Sequence, residues 1–310
     1  MRPGFVAQDG SVAPHAPEMR LAVREAGLVA ISFVAMASPC ELLLETEDLR
    51  AAEKLGCIAA HEAWRIEAKF SRYRDDSIIS AINRSQGRPV PVDAETAALI
   101  NYASQCHTLS GGRFDVTSGV LRRCWQFDGS DNIPDEAAVA ALLPLIGFEK
   151  ISWQNPHIAL PTGMEIDFGG FGKEYAVDRV LTMVAARSAD AVLVNFGGDL
   201  AANRAPATGL WRVGVERPDA VGEARLLLEL GQGALATSGD THRYLLRDGV
   251  RYSHILDVRT GFPVPEVPRS VSVVGSTCVE AGMLATCAML QGRAAESFLE
   301  LHAERYWCLR

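Results

Sequence analysis

Three stretches of the chain set reactive side chains beside missing ones. Residues 165–180 read EIDFGGFGKEYAVDRV, so Asp167 precedes Gly169, Gly170 and Gly172, and Lys173 follows them. Glycines let a backbone come close to phosphate oxygens, and a helix starting at such a turn adds partial positive charge. The spacing is neither GxGxxG nor GxxxxGK[ST], and a tight strand-to-helix connection is the plain alternative. VNFGGDL at 194–200 puts Gly197 and Gly198 ahead of Asp199, a carboxylate able to hold a metal or a hydroxyl, or to cap a turn. ATSGDTHRYL and YSHILDVRTG then crowd Thr237, Ser238, Asp240, Arg243, His254, Asp257, Arg259 and Thr260 into about two dozen residues. A histidine before a strand-end aspartate, followed by Arg-Thr-Gly, can supply a general base and an anion clamp. Otherwise Asp257 caps a hairpin turn and His254 faces solvent.

Two further segments, SRYRDDSIISAIN and GGRFDVTSGVL, each pair an aromatic with short hydroxyls. Tyr73 or Phe114 could stack on a planar ring while Ser77 and Thr117 donate hydrogen bonds; a core aromatic and a helix cap would use the same residues.

These groups need a scaffold, and the periodicities describe one. Strand material runs through 28–45, and 48–69 carries apolar residues at helical spacing, among them Leu55, Ile58 and Ile66. Ser77 reads as an N-cap, a helix starts near Asp93, and a shorter one covers 135–146. The segment 165–180 reads as strand, turn and helix, and 191–200 as a strand ending in two glycines. Asp248-Gly249 marks a type I′ hairpin, and CVEAGMLATCAMLQG closes with a helix. Helices and hairpins mix without a repeating βα unit, which predicts an α+β fold: one interleaved domain over 19–310, largely antiparallel with flanking helices, after a loose extension at 1–18.

The 310 residues are 48% hydrophobic and 22% charged, with a formal charge of −8. That balance suits a soluble globular protein and argues against nucleic acid as a partner. An anionic small ligand needs only local positive charge, which Lys173, Arg243 and Arg259 can supply. Seven cysteines without a CxxC pair match a reducing compartment. The apolar run 28–40 is read as a buried strand pair, which makes the protein cytoplasmic. The alternative is export, with 19–40 as a signal, but Pro39 precedes Cys40 and an acid precedes the run.

AMASPCELLLE, FSRYRDDSIISAIN, GGRFDVTSG, DFGGFGKEYAVD, VNFGGD, ATSGD with HILDVRTG, and EAGMLATC occur in an order that resembles the ApbE-type flavin transferases, the FAD:protein FMN transferases. The resemblance covers roughly 30–295. It implies an enzyme that splits FAD, attaches FMN by a phosphoester to a Thr or Ser of a target flavoprotein, and releases AMP with the help of a divalent metal, usually magnesium. It implies an FAD site at Met36, Tyr73, Ser77, Phe114, Asp115, Thr117, Asp167, Gly169, Gly170, Lys173, Asp199, Ser238, Gly239 and Thr260. His254, Arg243 and Asp257 fall in the catalytic region, with His254 the base near the acceptor hydroxyl. Partners would be FAD and the acceptor flavoprotein, and the chain itself would not span a membrane.

Members of the family usually carry Asp-x-x-x-Thr in the closing helix, where both side chains hold the metal. Here the positions are Gly282 and Thr286, leaving Thr286 and the Gly172 carbonyl as metal contacts. Glu280 points to a different face. Ala37 replaces a usual glycine after Met36, and Glu174 replaces one after Lys173, adding negative charge beside the diphosphate. Other readings are an FAD-binding protein with reduced or lost transfer, and a pyrophosphatase giving FMN and AMP.

Overall fold

The structure is a computed structural model that describes residues 18–217, 220–240 and 243–310. The expected loose extension lies, apart from Glu18, outside the described residues. In chain order the first strands are β1 (Arg20–Val23), β2 (Leu28–Ala35) and β3 (Ser38–Glu45). A small outlying trio follows, β4 (Val90–Pro91), β5 (Ser152–Gln154) and β6 (His157–Ala159). Next come the hairpin β7 (Val192–Phe196) and β8 (Asp199–Ala202) and the ribbon β9 (Trp211–Arg217) and β10 (Ala220–Leu230). The last are β11 (Gly233–Gly239), β12 (Tyr244–Arg247), β13 (Val250–Ser253), β14 (Ser270–Gly275) and β15 (Arg305–Leu309). Eight of them form one sheet in the order β1-β2-β3-β7-β8-β11-β14-β15, with every neighbouring pair antiparallel. The helices are α1 (Leu49–Phe70), α2 (Ile78–Asn83), α3 (Ala94–Leu109), α4 (Glu136–Leu142), α5 (Gly172–Ala185), α6 (Cys278–Leu290) and α7 (Ala295–His302). The α+β reading and its antiparallel sheet hold.

Side-chain alternation along the strands explains the layering. Val192, Val194 and Phe196 point into the core under α1, α5 and α6, whereas Leu193 points to the other face. Likewise Ala234 and Ala236 face the helices, and Leu235 faces away. That second face is covered by Trp211, Val215, Leu228 and Leu230 of the β9–β10 ribbon. A third cluster, with Val120, Leu121, Trp125 and Leu245 at its centre and Phe262 against it, supports the β12–β13 hairpin.

Local signals act at the element ends, Ser77 and Asp93 where expected. Asp48, Ser77, Asp93 and Thr277 cap α1, α2, α3 and α6 through their side chains. Asp248 and Gly249 take φ of 53° and 76° in the β12–β13 turn. The apolar run 28–40 folds as β2 and the start of β3, with Val29, Ala30, Ile31 and Phe33 buried. No described helix is long and apolar enough to cross a membrane.

Two elements differ from expectation. The stretch before the glycines, 165–168, belongs to no strand. The Asn83 amide takes the place of a strand neighbour, accepting from Ile166 N at 2.7 Å and donating to Ile166 O at 3.0 Å. The segment 191–200 is a complete hairpin, because Gly197 and Gly198, at φ 60° and 98°, reverse the chain in two residues.

Candidate active site

Two hairpin tips and a helix start converge. The β2–β3 turn is made by Met36 and Ala37, both left-handed at φ 52° and 54°. Beside it, Gly197 N donates to Pro39 O at 2.9 Å. A side chain at 197 would begin 3.1 Å from Ser38, and at an ordinary contact distance of 3.5 Å from Lys173 Nζ. Lys173 lies in the first turn of α5 and meets the buried Asp199 carboxylate at 2.7 Å, and the other Asp199 oxygen accepts from Thr237 N. Burial alone would pull the Lys173 ammonium down; the charges of Asp199 and Glu174 hold it above its ordinary value.

Packing constrains two of the three glycines before it. The three take no left-handed φ. A methyl on Gly170 would meet the edge of Phe114 at 2.8 Å, and one on Gly169 the Asp167 carboxylate at 3.1 Å. Asp167 accepts from Arg72 at 2.6 Å and from Gly169 N at 3.0 Å. Gly172 faces open space, and no side chain caps α5. That leaves a helix N-terminus with its partial positive charge next to an ammonium, a setting for an anion.

The register of α5 against α6 is set by Asp178, whose two oxygens accept from Cys278 N and Val279 N at 2.8 and 2.9 Å. One turn earlier on α5 stands Glu174, and one turn later on α6 stands Gly282. They meet: a Cβ on Gly282 would lie 2.7 Å from Glu174 Cγ and 2.9 Å from its Oε1. Glu174 is 8% exposed, and its Oε2 has no hydrogen-bond partner. Burial, then the Asp199 charge, pushes this carboxyl well above the usual range, with Lys173 opposing. Thr286, the next turn of α6, shares a 2.8 Å hydroxyl hydrogen bond with Ser238 at the end of β11. Glu280 turns away to Ser276.

Beyond Ser238 and Gly239 the chain reaches Arg243, whose carbonyl lies 3.1 Å from His254 Nδ1. A carbonyl only accepts, so Nδ1 carries the hydrogen and Nε2 keeps its lone pair. Burial, then the Arg243 charge, lowers the imidazole to about 4, so it is neutral at pH 7. Phe127 packs edge-on to the ring at 6.2 Å. The segment 116–127 joins this end to the glycine turn. Its Gly119 backs onto Asp167, where a Cβ would sit 2.9 Å from the aspartate's own, and its Val120 and Leu121 share a cluster with Trp125.

Several residues expected at the site also have structural duties. Asp257 does not orient the imidazole: it accepts from Arg259 N and Nε, both at 2.9 Å, and its backbone closes the turn holding Thr260. Ser77 is buried and spends its hydroxyl on Ser80 N at 3.0 Å. Phe114 is wedged against Gly170 and Phe171 rather than free to stack. Thr117 donates to Asp115 and accepts from Gly147 N, while Asp115 also accepts from Phe148 N. These bonds brace the 116–123 segment. Gly239 allows the β11–β14 approach, since a Cβ would meet Arg269 O at 2.9 Å. Tyr73, by contrast, is 78% exposed, with its ring against the Arg72 guanidinium.

A sequence model of the ApbE family matches residues 36–308. The chain belongs to the ApbE family. An FAD:protein FMN transferase of Treponema pallidum is 32% identical over 247 residues, covering 73% of this chain and 68% of that protein. Another, from Vibrio cholerae, is 30% identical over 235 residues, covering 73% and 70%. The solved ApbE protein of Thermotoga maritima superposes with a TM-score of 0.82 at 27% identity, over 90% of this chain and 93% of that one.

Within this ApbE chain, sequence reasoning missed Arg72 as the partner of Asp167 and Asp178 as the clamp between α5 and α6. Arg72 stood beside the noticed Tyr73; a bond across 100 residues left Asp178 no local signal. His107, Asp115 and Glu149 also bring ligand atoms within 4.8 Å of one another, but both Asp115 oxygens already accept backbone hydrogens. Two hollows lie elsewhere, one lined by Met19, Cys57 and Trp64 and one by Arg65, Glu95 and Arg179.

Proposed function

We propose that the chain is an FAD:protein FMN transferase, which splits the diphosphate of FAD, joins the FMN phosphate to a Thr or Ser hydroxyl of an acceptor flavoprotein, and releases AMP. One observation carries this reading: an uncapped helix start beside Lys173 is joined, through 116–127, to a neutral histidine with its Nε2 free.

In this reading the diphosphate lies at Gly172 and Lys173, where the helix start and the ammonium offset its charge. Exposed Tyr73 offers a face to the flavin ring, and Met36, Asp167, Asp199 and Ser238 line the approach. Arg243 and Thr260 stand at the acceptor end. His254 Nε2 takes the proton of the acceptor hydroxyl. The oxygen bonds to the FMN-side phosphorus, the bond from that phosphorus to the bridging oxygen breaks, and AMP leaves with the electron pair. The Gly172 carbonyl, the Thr286 hydroxyl and a buried carboxylate between α5 and α6 would supply the all-oxygen donors that suit a hard cation such as magnesium. Such a cation would neutralise diphosphate charge. Free cysteines favour a cytoplasmic setting.

The test is incubation with FAD, magnesium and an acceptor carrying its threonine, reading in-gel flavin fluorescence and the mass of the target. His254→Ala should lower transfer by about 10²–10⁴-fold while FAD still binds. No covalent flavin from the wild-type protein with any divalent cation would refute the reading. AMP formed without acceptor would make water the acceptor instead.

A further inference from the structure

Among the described residues, three buried side-chain oxygens lack a partner: Ser85 Oγ, Ser270 Oγ and Glu174 Oε2. Only the last belongs to a carboxylate. Leaving such a group unpaired in the interior is costly, and natural structures keep it where a ligand completes it. Its location is specific. Gly282 opens a notch in α6, and the Glu174 side chain, coming from α5, fills it. An aspartate at 282 would start 2.9 Å from the point Glu174 Oε1 already occupies. The carboxylate missing from one helix is therefore present on the other, delivered to the same gap.

We propose that Glu174, reaching across from α5 into the notch at Gly282, is this chain's acidic ligand for the divalent cation. The inference rests on the transferase reading for the Gly172 carbonyl and Thr286 as co-ligands. Neighbouring carboxylates are committed elsewhere: Asp178 to the first N–H groups of α6, Asp199 to Lys173 and Thr237 N, Glu280 to Ser276. Of these carboxylates, Glu174 alone keeps a buried oxygen without a partner. Thr286, one helical turn beyond Gly282, lies on the same face of α6, so the carboxylate and the hydroxyl address one space. The two substitutions that separately look like losses form one compensating pair.

The probe is Mn²⁺ itself, with bound and free ion separated by EPR on the full chain, with and without FAD. Wild type, Glu174→Gln and the swap Glu174→Gly/Gly282→Asp are compared. Glu174→Gln should weaken Mn²⁺ binding by about tenfold or more, because a neutral amide replaces one of few anionic ligands. The swap should restore it, and it guards against a glutamine variant that merely packs badly. Glu174→Gln binding Mn²⁺ like the wild type, or a wild type that binds none under either condition, overturns the inference. Flavin transfer is scored on the same samples. Mn²⁺ held through Glu174 without transfer sinks the transferase reading alone; transfer with Mn²⁺ indifferent to Glu174 sinks this inference alone.

Discussion

Gly282→Ala tests the α5–α6 contact without any metal. The new methyl would lie 2.7 Å from Glu174 Cγ, 2.9 Å from Oε1 and 3.1 Å from Cδ. The nearest of these atoms is close to the root of a buried side chain, so it yields only by displacing its neighbours. Overpacking of this kind costs about 1–3 kcal/mol, and alanine in place of glycine in a helix returns about 1 kcal/mol. The net loss should be about 1 kcal/mol. In a Glu174→Ala background the obstruction is gone, and the same change should stabilise by about 1 kcal/mol. Two contacting residues of this kind couple by about 1–3 kcal/mol. Urea unfolding of the four proteins in EDTA measures that coupling. Additivity within about 0.5 kcal/mol would mean that Glu174 does not occupy the notch. The same geometry says that Gly282→Asp alone cannot repair a metal site, since it drives a second carboxylate onto the first.

Other perturbations follow from the same contacts. The folded His254 stays neutral down to about 4, while the unfolded chain protonates near 6.5, so the unfolded state binds more protons between those values and stability falls as pH drops through that window. Unfolding measured from pH 7 to 4 should show this loss, and His254→Gln should shrink it; an NMR titration of His254 near 6.5 would contradict it. Gly170→Ala meets the Phe114 edge at 2.8 Å and should cost about 1–3 kcal/mol by denaturant melt, relieved in part by Phe114→Leu. Ala37→Gly removes a left-handed alanine at φ 54° and should raise stability by about 0.5–1 kcal/mol.

Much of the scaffold was legible because its signals are local. Ser77 and Asp93 cap helices through groups within three residues, and Asp248-Gly249 turns a hairpin by its own backbone preference. The glycines at 169 and 170 were legible as special but for a different reason, since their bare backbone first accommodates Asp167 and Phe114. Hydroxyls such as Ser77 and Thr117 could not be sorted in advance, because a cap and a ligand contact ask for the same side chain. The strand expected before Gly169 failed because Ile166 pairs with a side chain, Asn83, and Asp167 N with the single carbonyl of Val116, which no pattern along the stretch encodes.

By itself the sequence determined the family, the antiparallel α+β architecture and the order in which reactive residues arrive, because period, caps and motif order are written along the chain. Tertiary structure alone decided which departures matter together. Glu174 and Gly282 are over a hundred residues apart and each reads as a defect in isolation. Asp178 fastens α5 to α6 in one register, and only then does one side chain come to rest in the space the other lacks. Complementarity between distant positions is a property of packing, which no single stretch of sequence contains.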